Sequence, residues 1–374
     1  MVSTAKQSEP ELAARFLDLS GKEPNGPSFW APVKVPRRSI EEAIARLADR
    51  PAPANGRRAM SIVHPSSVAP GLGLAPGVEV VINVLKPGES TRPMRRNANQ
   101  AEICIGGSGT VAVKDRKFVL SKWDVCNIPS MQTFTHHNTG RELWVCLTYS
   151  NAPLLEKMGV NYFEVDPQQL DALTKPAAVS AQYNRETAPD IAIGQAGARL
   201  RGYEFLTDIK VVENVALHWP WSEVLQGLTT EVGDHKRNIM LMYNPATERR
   251  NGTTHSFFVT AFSCPPGTPP RPVGRGHRHS SVAINYHFQG RGKSIVDGNV
   301  IEWEAGDLLL SAPGWSEHAH YYGPEGAMVF TVQDHPAQIG MESLIWQERM
   351  DGPILALGSD AGQTGYVGPR EKGE

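Results

Sequence analysis

Apolar and polar positions alternate along two long stretches of the chain. The first runs from Val78 to about residue 166, and the second begins near residue 237. Both break into short apolar runs separated by Gly and Pro, such as "VEVVINVLKPGES", "RELWVCLTYS", "HSFFVTAFSCPPG" and "SVAINYHFQG". Runs of this kind predict antiparallel strands of a barrel or sandwich. The pair Asp297-Gly298, set between alternating apolar residues, predicts a two-residue hairpin turn.

Helical periodicity appears outside these stretches. The segment "SIEEAIARLADR" has an apolar face, and we expect Ser39 and Glu42 to cap its start as a capping box. A second helix is predicted at "SEVLQGLTT" in the connector that follows the first stretch. The predicted apolar face of the first helix consists of Ile40, Ala43, Ile44 and Leu47.

The two β stretches share an internal repeat. Each has a Pro-Gly pair, then a Gly-x-Gly hairpin, then an aspartate 15 residues after the last glycine, and then a proline. The aspartates are Asp124 and Asp307. Two copies of one β fold explain this register. We therefore predict a helical N-terminal extension (1–77), two β domains (78–166 and 237–340), a connector with a helix (167–236) and a C-terminal tail (341–374) that is loosely ordered at its end.

Composition narrows the class of partner. The 374 residues include 37 Lys and Arg against 39 Asp and Glu, a net charge of -2, so no global field attracts nucleic acid or an anionic membrane. No apolar run approaches the length of a membrane span and the N-terminal segment has no apolar signal region, so we expect a cytoplasmic protein. The four cysteines lack CxxC spacing, which predicts reduced, buried thiols and excludes a zinc ribbon.

Four histidines stand out in the second β stretch. His277 and His279 alternate on a predicted strand, so their side chains point the same way. His318 follows "GDLLLSAPGW" on a neighbouring predicted strand, and His320 lies two residues further on. Three imidazoles converging from two strands can hold a first-row transition metal. The alternative, that the His-x-His pair arises by chance and is solvated, is the weaker interpretation in this context.

The segment "HRHSSVAINYHFQGRGKSIVDGNVIEWEAGDLLLSAPGWSEHAH" resembles the second cupin of the two-cupin gentisate dioxygenase family, which includes salicylate, hydroxynaphthoate and hydroquinone ring-cleaving relatives. The resemblance is sharp over about residues 239 to 321 and weaker over 80 to 165. It implies a mainly β fold of two tandem cupin barrels (double-stranded β-helix, or jelly roll). It also implies a homo-oligomeric, non-haem Fe(II) enzyme that opens a small hydroxylated aromatic ring with O2. In this scheme His277, His279 and His318 bind iron, and His320 is an acid/base or orienting group.

Two features of the sequence depart from patterns known in cupins: the glutamate position of the second repeat and the ligand positions of the first. The glutamate of the cupin motif falls here on Ile284 or Asn285, which argues against the oxalate-decarboxylase and germin-like cupins. In several gentisate-type relatives the first cupin carries the catalytic iron and the arginines that bind substrate carboxylate. Here the first repeat has Arg95 and Asn97 at the His-x-His positions. Glu102 stands at the glutamate position, Phe134 at the position of the third ligand, and His136 at the position that matches His320. We therefore expect the metal only in the second cupin.

Several side chains near the second site are candidates for substrate contact. Trp315 is expected to stack on an aromatic substrate or to pack at the rim. Tyr286 and His287 point to opposite faces of one strand, and we assign Tyr286 to the barrel interior and His287 to the outside, to an interface or to a satisfied core position. Asn285 and Arg278 complete the candidate substrate-binding set, and Arg271 and Arg275 are further anion-binding candidates. Two other functions stay open: a metal-dependent lyase or isomerase, and a non-catalytic metal-containing binding subunit.

Overall fold

The computed structural model describes residues 16–26, 29–167, 191–193, 196–201, 214–229, 238–268, 276–361 and 363. The first half contains β1 (Val33–Val35), α1 (Arg37–Asp49), β2 (Arg58–Ile62), β3 (Glu79–Leu85), β4 (Met94–Arg96), β5 (Gln100–Gly106), β6 (Ser108–Val113), β7 (Arg116–Ser121), β8 (Val125–Ile128), β9 (Phe134–His137), β10 (Trp144–Ser150), α2 (Ala152–Lys157) and β11 (Phe163–Val165). The connector contains β12 (Ile191–Ile193), β13 (Ala198–Leu200), β14 (His218–Trp219) and α3 (Trp221–Thr229). The second half contains β15 (Asn238–Met242), a 3₁₀ helix (Pro245–Arg250), β16 (Phe258–Cys264), β17 (Arg278–His279), β18 (Ala283–Val296), β19 (Asn299–Glu304), β20 (Leu308–Ala312), β21 (His318–Gln333), α4 (His335–Gly340), β22 (Ile345–Gln347) and β23 (Leu355–Ala356).

These strands form two antiparallel barrels in tandem, which confirms the predicted mainly β architecture. In the first barrel a six-stranded sheet, ordered β14-β8-β5-β10-β3-β2, accompanies a five-stranded sheet ordered β11-β4-β9-β6-β7. The second barrel is built on one sheet ordered β1-β20-β18-β21-β16-β15, with β19 paired to β18. Strands β18 and β21 are long, and bulges between His287 and Gln289 and between Gly290 and Gly292 interrupt their pairing. Bulges bend a strand, so one pair of strands can contribute to two sides of the barrel.

The barrels share one hydrophobic core between their sheets. Ile82 and Leu147 of the first barrel belong to the same buried cluster as Ile284, Leu310 and Phe330 of the second. Each barrel interior has separate buried clusters. Strand β10 and residues 283–287 of β18 are buried on both faces, so alternation of apolar and polar residues there does not predict which face a side chain occupies.

Each barrel receives a strand from the sequence ahead of the other barrel, and its own aspartate caps the helix that follows this strand. Strand β1 precedes α1 and pairs with β20 of the second barrel, whereas β14 precedes α3 and pairs with β8 of the first. The two aspartates of the repeat cap the helices: Asp307 Oδ1 accepts the Arg37 N–H at 2.7 Å, and Asp124 Oδ1 accepts the Trp221 N–H at 2.7 Å. A carboxylate at a helix N-terminus satisfies an unpaired N–H and complements the helix dipole.

The predicted capping box at Ser39 and Glu42 is wrong. Helix α1 begins at Arg37, with Pro36 at its N-cap and no side-chain cap from its own segment. Ser39 therefore lies inside the first turn, and the distant Asp307 provides the cap. The apolar face is confirmed, since Ile40 and Leu47 are buried.

The predicted hairpin at Asp297-Gly298 is confirmed. Val296 pairs with Asn299 on either side of it, and the two turn residues have φ values of 46° and 80°. Two consecutive positive φ values are typical of a type I′ turn. None of the described helices has the length and apolar character that crossing a bilayer requires.

Candidate metal centre

Three histidines converge at one end of the second barrel. His277 and His318 stand directly opposite each other in an antiparallel bridge, with N···O distances of 3.2 and 2.9 Å between their backbones. His279, two residues along, projects from the same side of the strand as His277. One nitrogen from each ring lies within 4.8 Å of the others.

Backbone carbonyls set the tautomers of two of these rings. His279 Nδ1 lies 2.8 Å from the Ser281 carbonyl oxygen, and His318 Nδ1 lies 3.0 Å from that of Ser316. A carbonyl can only accept, so each Nδ1 carries the proton and each Nε2 keeps its lone pair. In this structure His279 Nε2 is buried and has no hydrogen-bond partner.

Burial keeps both rings neutral. It lowers the pKa of His279 well below its usual value, with further lowering from His318 and His335, and it lowers the pKa of His318. Neutral imidazoles with unpaired Nε2 atoms are the form that binds a divalent transition metal. The donor set therefore fits a metal ion.

A tryptophan from the C-terminal tail supports the first two ligands. Strand β22 pairs with β17 and places Trp346 opposite His279. The indole stacks on His277 with a centroid distance of 4.9 Å and on His279 at 5.1 Å. Trp346 was not among the residues expected from the sequence, because no spacing rule connects it to the His-x-His pair.

A hydroxyl connects His279 to a fourth histidine. Ser281 Oγ lies 2.9 Å from His279 Nδ1 and 2.6 Å from His335 Nδ1. Because His279 Nδ1 carries a proton, the hydroxyl accepts on that side and can donate to His335. Burial lowers the pKa of His335 to about 3. The ring of ligand His279 is thus held by a chain of polar groups that fixes its orientation.

His320 belongs to a second polar chain in the barrel. Ser294 Oγ lies 2.8 Å from His320 Nδ1 and accepts the Trp303 indole N–H at 3.1 Å. Trp303 in turn stacks on His287 at 3.9 Å. Burial lowers the pKa of His320 well below its usual value and that of His287 to about 3, so both rings are neutral.

The assignment of Tyr286 to the barrel interior is wrong. His287 shares the interior with Trp303, and Tyr286 lies on the opposite face of β18, where its ring is 6.1 Å from Trp123 of the first barrel. Both residues are buried, at 1% and 6% exposure. Apolar character could not distinguish the two faces, because the outer face of β18 is covered by the other barrel.

Of the remaining candidates, Asn285, Arg278 and Trp315 lie within the described residues. Asn285 is buried, donates its amide to Ser311 Oγ at 3.1 Å and leaves Oδ1 without a partner. Arg278 projects from the opposite face of β17 to the two histidines, donates to Gln347 Oε1 at 2.7 Å and lies 4.5 Å over the Trp315 ring. Arg271 and Arg275 lie outside the described residues.

In the first barrel, side chains at the matching positions have other partners. Arg95 pairs with Glu164 at 2.7 Å, and the Asn97 amide donates to the Val160 carbonyl at 2.7 Å. Both therefore bind the segment around β11. His136, the counterpart of His320, lies with its Nε2 2.9 Å from Glu102 Oε2.

Known ring-cleaving dioxygenases resemble this chain in sequence and in fold. It is 24% identical over 335 residues to the 1-hydroxy-2-naphthoate 1,2-dioxygenase of Nocardioides sp. (strain KP7), covering 85% of this chain and 78% of that enzyme. A gentisate 1,2-dioxygenase of a Streptomyces species is 28% identical over 171 residues, 42% of each chain. No protein-family model matches.

The crystal structure of a salicylate 1,2-dioxygenase from Pseudaminobacter salicylatoxidans covers 89% of this chain and 91% of its own, with a TM-score of 0.67 and 16% identity. This match confirms the two-cupin fold. Together with the sequence relatives, it also confirms the resemblance to the gentisate dioxygenase-like family.

Proposed function

We propose that this protein is a non-haem Fe(II) dioxygenase that opens the ring of a small hydroxylated aromatic compound with O2, and that the reaction takes place in the second barrel. The observation that carries the proposal is the cluster of His277, His279 and His318, whose nitrogens lie within 4.8 Å of one another. The relatives support it, since their names include hydroxynaphthoate, aminosalicylate and gentisate 1,2-dioxygenases.

The donor set suits this chemistry because it is uncharged. Neutral imidazoles preserve the positive charge of a divalent ion, and three ligands leave further coordination positions open. Iron bound there would supply a Lewis-acidic site that holds an anionic phenol and O2 together and lets electrons pass from the ring to O2. The tautomers fixed by the Ser281 and Ser316 carbonyls keep two Nε2 lone pairs ready without rearrangement.

We assign His320 the role of orienting the substrate or moving a proton beside the metal ligands. Its ring centroid is 5.6 Å from that of His318, and Ser294 occupies its Nδ1. Its Nε2 makes no hydrogen bond within the described part of the chain, so this nitrogen can face a substrate hydroxyl. A neutral imidazole can accept a proton from a phenol or return one to a ring-opened product.

Trp315 and Asn285 are the proposed substrate contacts. Trp315 has Arg278 against its ring, which restricts where the indole can move. Asn285 offers an unpaired Oδ1 from a buried position. A role for Arg278 in binding an anionic group stays a prediction, because its guanidinium already contacts Gln347 and Trp315. Tyr286 faces the first barrel and is not part of the proposal. We also propose that the enzyme is a homo-oligomer, which light scattering can measure.

Oxygen uptake tests this function. The Fe(II)-loaded protein is mixed with gentisate, salicylate, 1-hydroxy-2-naphthoate or hydroquinone, and the O2 consumed is compared with the ring-opened acid formed. We expect equimolar uptake and product with at least one compound. His318→Ala should lose iron and uptake together, while His136→Ala, which changes the first barrel, should keep its iron. An iron-loaded protein that consumes no O2 with any of these compounds would contradict the proposal.

A further inference from the structure

Two cysteines face each other across neighbouring strands of the first barrel. Cys104 of β5 pairs directly with Cys146 of β10. The backbone N–H and carbonyl of Cys104 bond to Asp124 and Trp123, on the side of β8. They therefore point away from β10, which makes Cys104 and Cys146 a non-hydrogen-bonded pair of the antiparallel ladder. Directly opposite side chains lie on the same face of a sheet, and both thiols belong to the buried cluster inside this barrel.

This pairing suits a disulfide. In a non-hydrogen-bonded pair the two Cα atoms are about 4.5 Å apart. Disulfides join Cα atoms that are roughly 4.4 to 6.8 Å apart. A register shift between Val145 and Cys146 interrupts the ladder beside the pair, so the two strands can adjust locally. A disulfide can therefore close between β5 and β10 without rearrangement of the barrel.

The two thiols differ in chemical character. The Cys146 thiol donates a hydrogen bond to the Cys104 sulfur, and this bond lowers the pKa of Cys104. Burial raises the pKa of Cys146 well above its usual value. Because the thiolate is the form that attacks oxidants, we expect Cys104 to react first, with the Cys146 thiol beside it.

A small oxidant can approach the pair from a cavity of about 240 Å³ inside the barrel. Cys146 forms part of the cavity wall together with Glu102 and Trp144. The two cysteines are only 0% and 4% exposed, which keeps large reagents away from them. Hydrogen peroxide is close to water in size, so the cavity selects an oxidant of this class.

The other two cysteines have no thiol opposite them. Cys126 of β8 stands opposite Glu102, and burial raises its pKa well above its usual value. Cys264 lies in the second barrel, opposite Ala327. Both are buried. They are therefore internal controls that share the residue type and the burial of the pair but not its geometry.

We propose that Cys104 and Cys146 are a modification site for hydrogen peroxide and form a reversible disulfide. The Cys104 thiolate attacks one peroxide oxygen, the O–O bond breaks, hydroxide leaves and a sulfenic acid forms. The Cys146 sulfur then displaces the sulfenic hydroxyl, which takes the thiol proton and leaves as water. The two sulfurs together lose two electrons and the peroxide gains them. Oxidation thus stops at a disulfide that thiols can reduce, before the irreversible acids.

Peptide mapping tests the site. The folded full-length protein is treated with hydrogen peroxide in the presence of a chelator, its remaining thiols are alkylated in urea, and the chain is cleaved with trypsin. Cleavage places Cys104 in residues 97–114, Cys126 in 123–141 and Cys146 in 142–157. We expect peptide 97–114 linked to peptide 142–157, separable by dithiothreitol, with Cys126 and Cys264 alkylated.

The same oxidation in urea distinguishes a site of the fold from chance pairing. Cys126 lies between the other two cysteines of the first barrel in sequence, so it closes a shorter loop with either of them than they close with each other. Shorter loops cost less entropy in an unfolded chain. Links to Cys126 should therefore dominate in urea, and the link between Cys104 and Cys146 should dominate only in the folded protein.

Two variants complete the test. Cys146→Ser keeps a hydroxyl beside Cys104 and removes the second sulfur, so it should form no link and should accumulate sulfinic and sulfonic acid at Cys104. Cys126→Ser, which removes an equally buried thiol of the same barrel, should form the link as its parent does. Alkylated thiols at both positions of the pair after peroxide, or a link to Cys126 in the folded protein, would overturn the proposal. The map of the unmodified protein gives this answer even if a variant does not fold, and it is independent of the oxygen-uptake test.

Discussion

Replacing Trp346 with alanine should weaken metal binding although it removes no ligand. The indole is 5% exposed and stacks on the rings of both His277 and His279. Truncating a buried tryptophan costs about 3 to 5 kcal/mol of unfolding free energy, because it removes contacts and leaves a cavity. Loss of groups that orient ligand histidines typically reduces metal affinity by roughly 10- to 100-fold.

The two effects can be measured separately. A competition titration with a chromophoric chelator gives the Fe(II) dissociation constant, and urea unfolding of the metal-free protein gives the packing loss. A 100-fold weaker affinity also lowers the stabilisation by excess metal by about 2.7 kcal/mol. The matched variant is Trp346→Phe, which keeps a stacked ring and loses the indole N–H bond to Glu348. It should bind metal within about tenfold of wild type.

Wild-type iron affinity in Trp346→Ala, together with the expected fall in its unfolding free energy, would contradict an orienting role for the indole. The indole would then contribute packing alone, and the two histidines would hold their orientation without it. Loss of affinity equal in the alanine and phenylalanine variants would also contradict the argument, because only the former removes the aromatic surface.

Three further outcomes follow from buried groups elsewhere in the structure. The pKa values of His287 and His335 are lowered to about 3 in the folded protein. As pH falls, these two histidines therefore bind protons in the unfolded chain before they do so in the folded chain. Metal-free stability should therefore be nearly constant above about pH 7 and fall by roughly 2 kcal/mol per histidine between pH 7 and 5, and His287→Phe should remove one such loss in urea unfolding. Asp307→Ala should cost about 1 to 2 kcal/mol by uncapping α1, whereas Glu41→Gln at an exposed ion pair should cost less than about 0.5 kcal/mol, both by chemical denaturation. His320→Phe should keep its iron by metal analysis and turn over roughly 10- to 100-fold more slowly; full activity would make His320 structural.

Local patterns in the sequence predict much of this molecule. Alternation and the Gly-x-Gly repeats predict two β domains, the Asp297-Gly298 pair predicts a turn, and the positions of His277 and His279 predict a shared strand face. Each of these depends on residues that are neighbours in the chain, where backbone geometry alone decides which way a side chain points. His318 was expected as the third ligand from its place on a neighbouring predicted strand, and the resemblance to a known family implied the same residue.

Only the tertiary structure showed which distant residues cap a helix or support the metal site. Asp307 caps a helix 270 positions away, Trp346 reaches His279 through a strand of the tail, and His335 meets His279 through the Ser281 hydroxyl. Strand pairing creates these contacts between distant residues, and no local period encodes them. The direction of His287 was equally hidden, because both faces of its strand are buried and hydrophobic alternation then carries no information about which face points into the barrel.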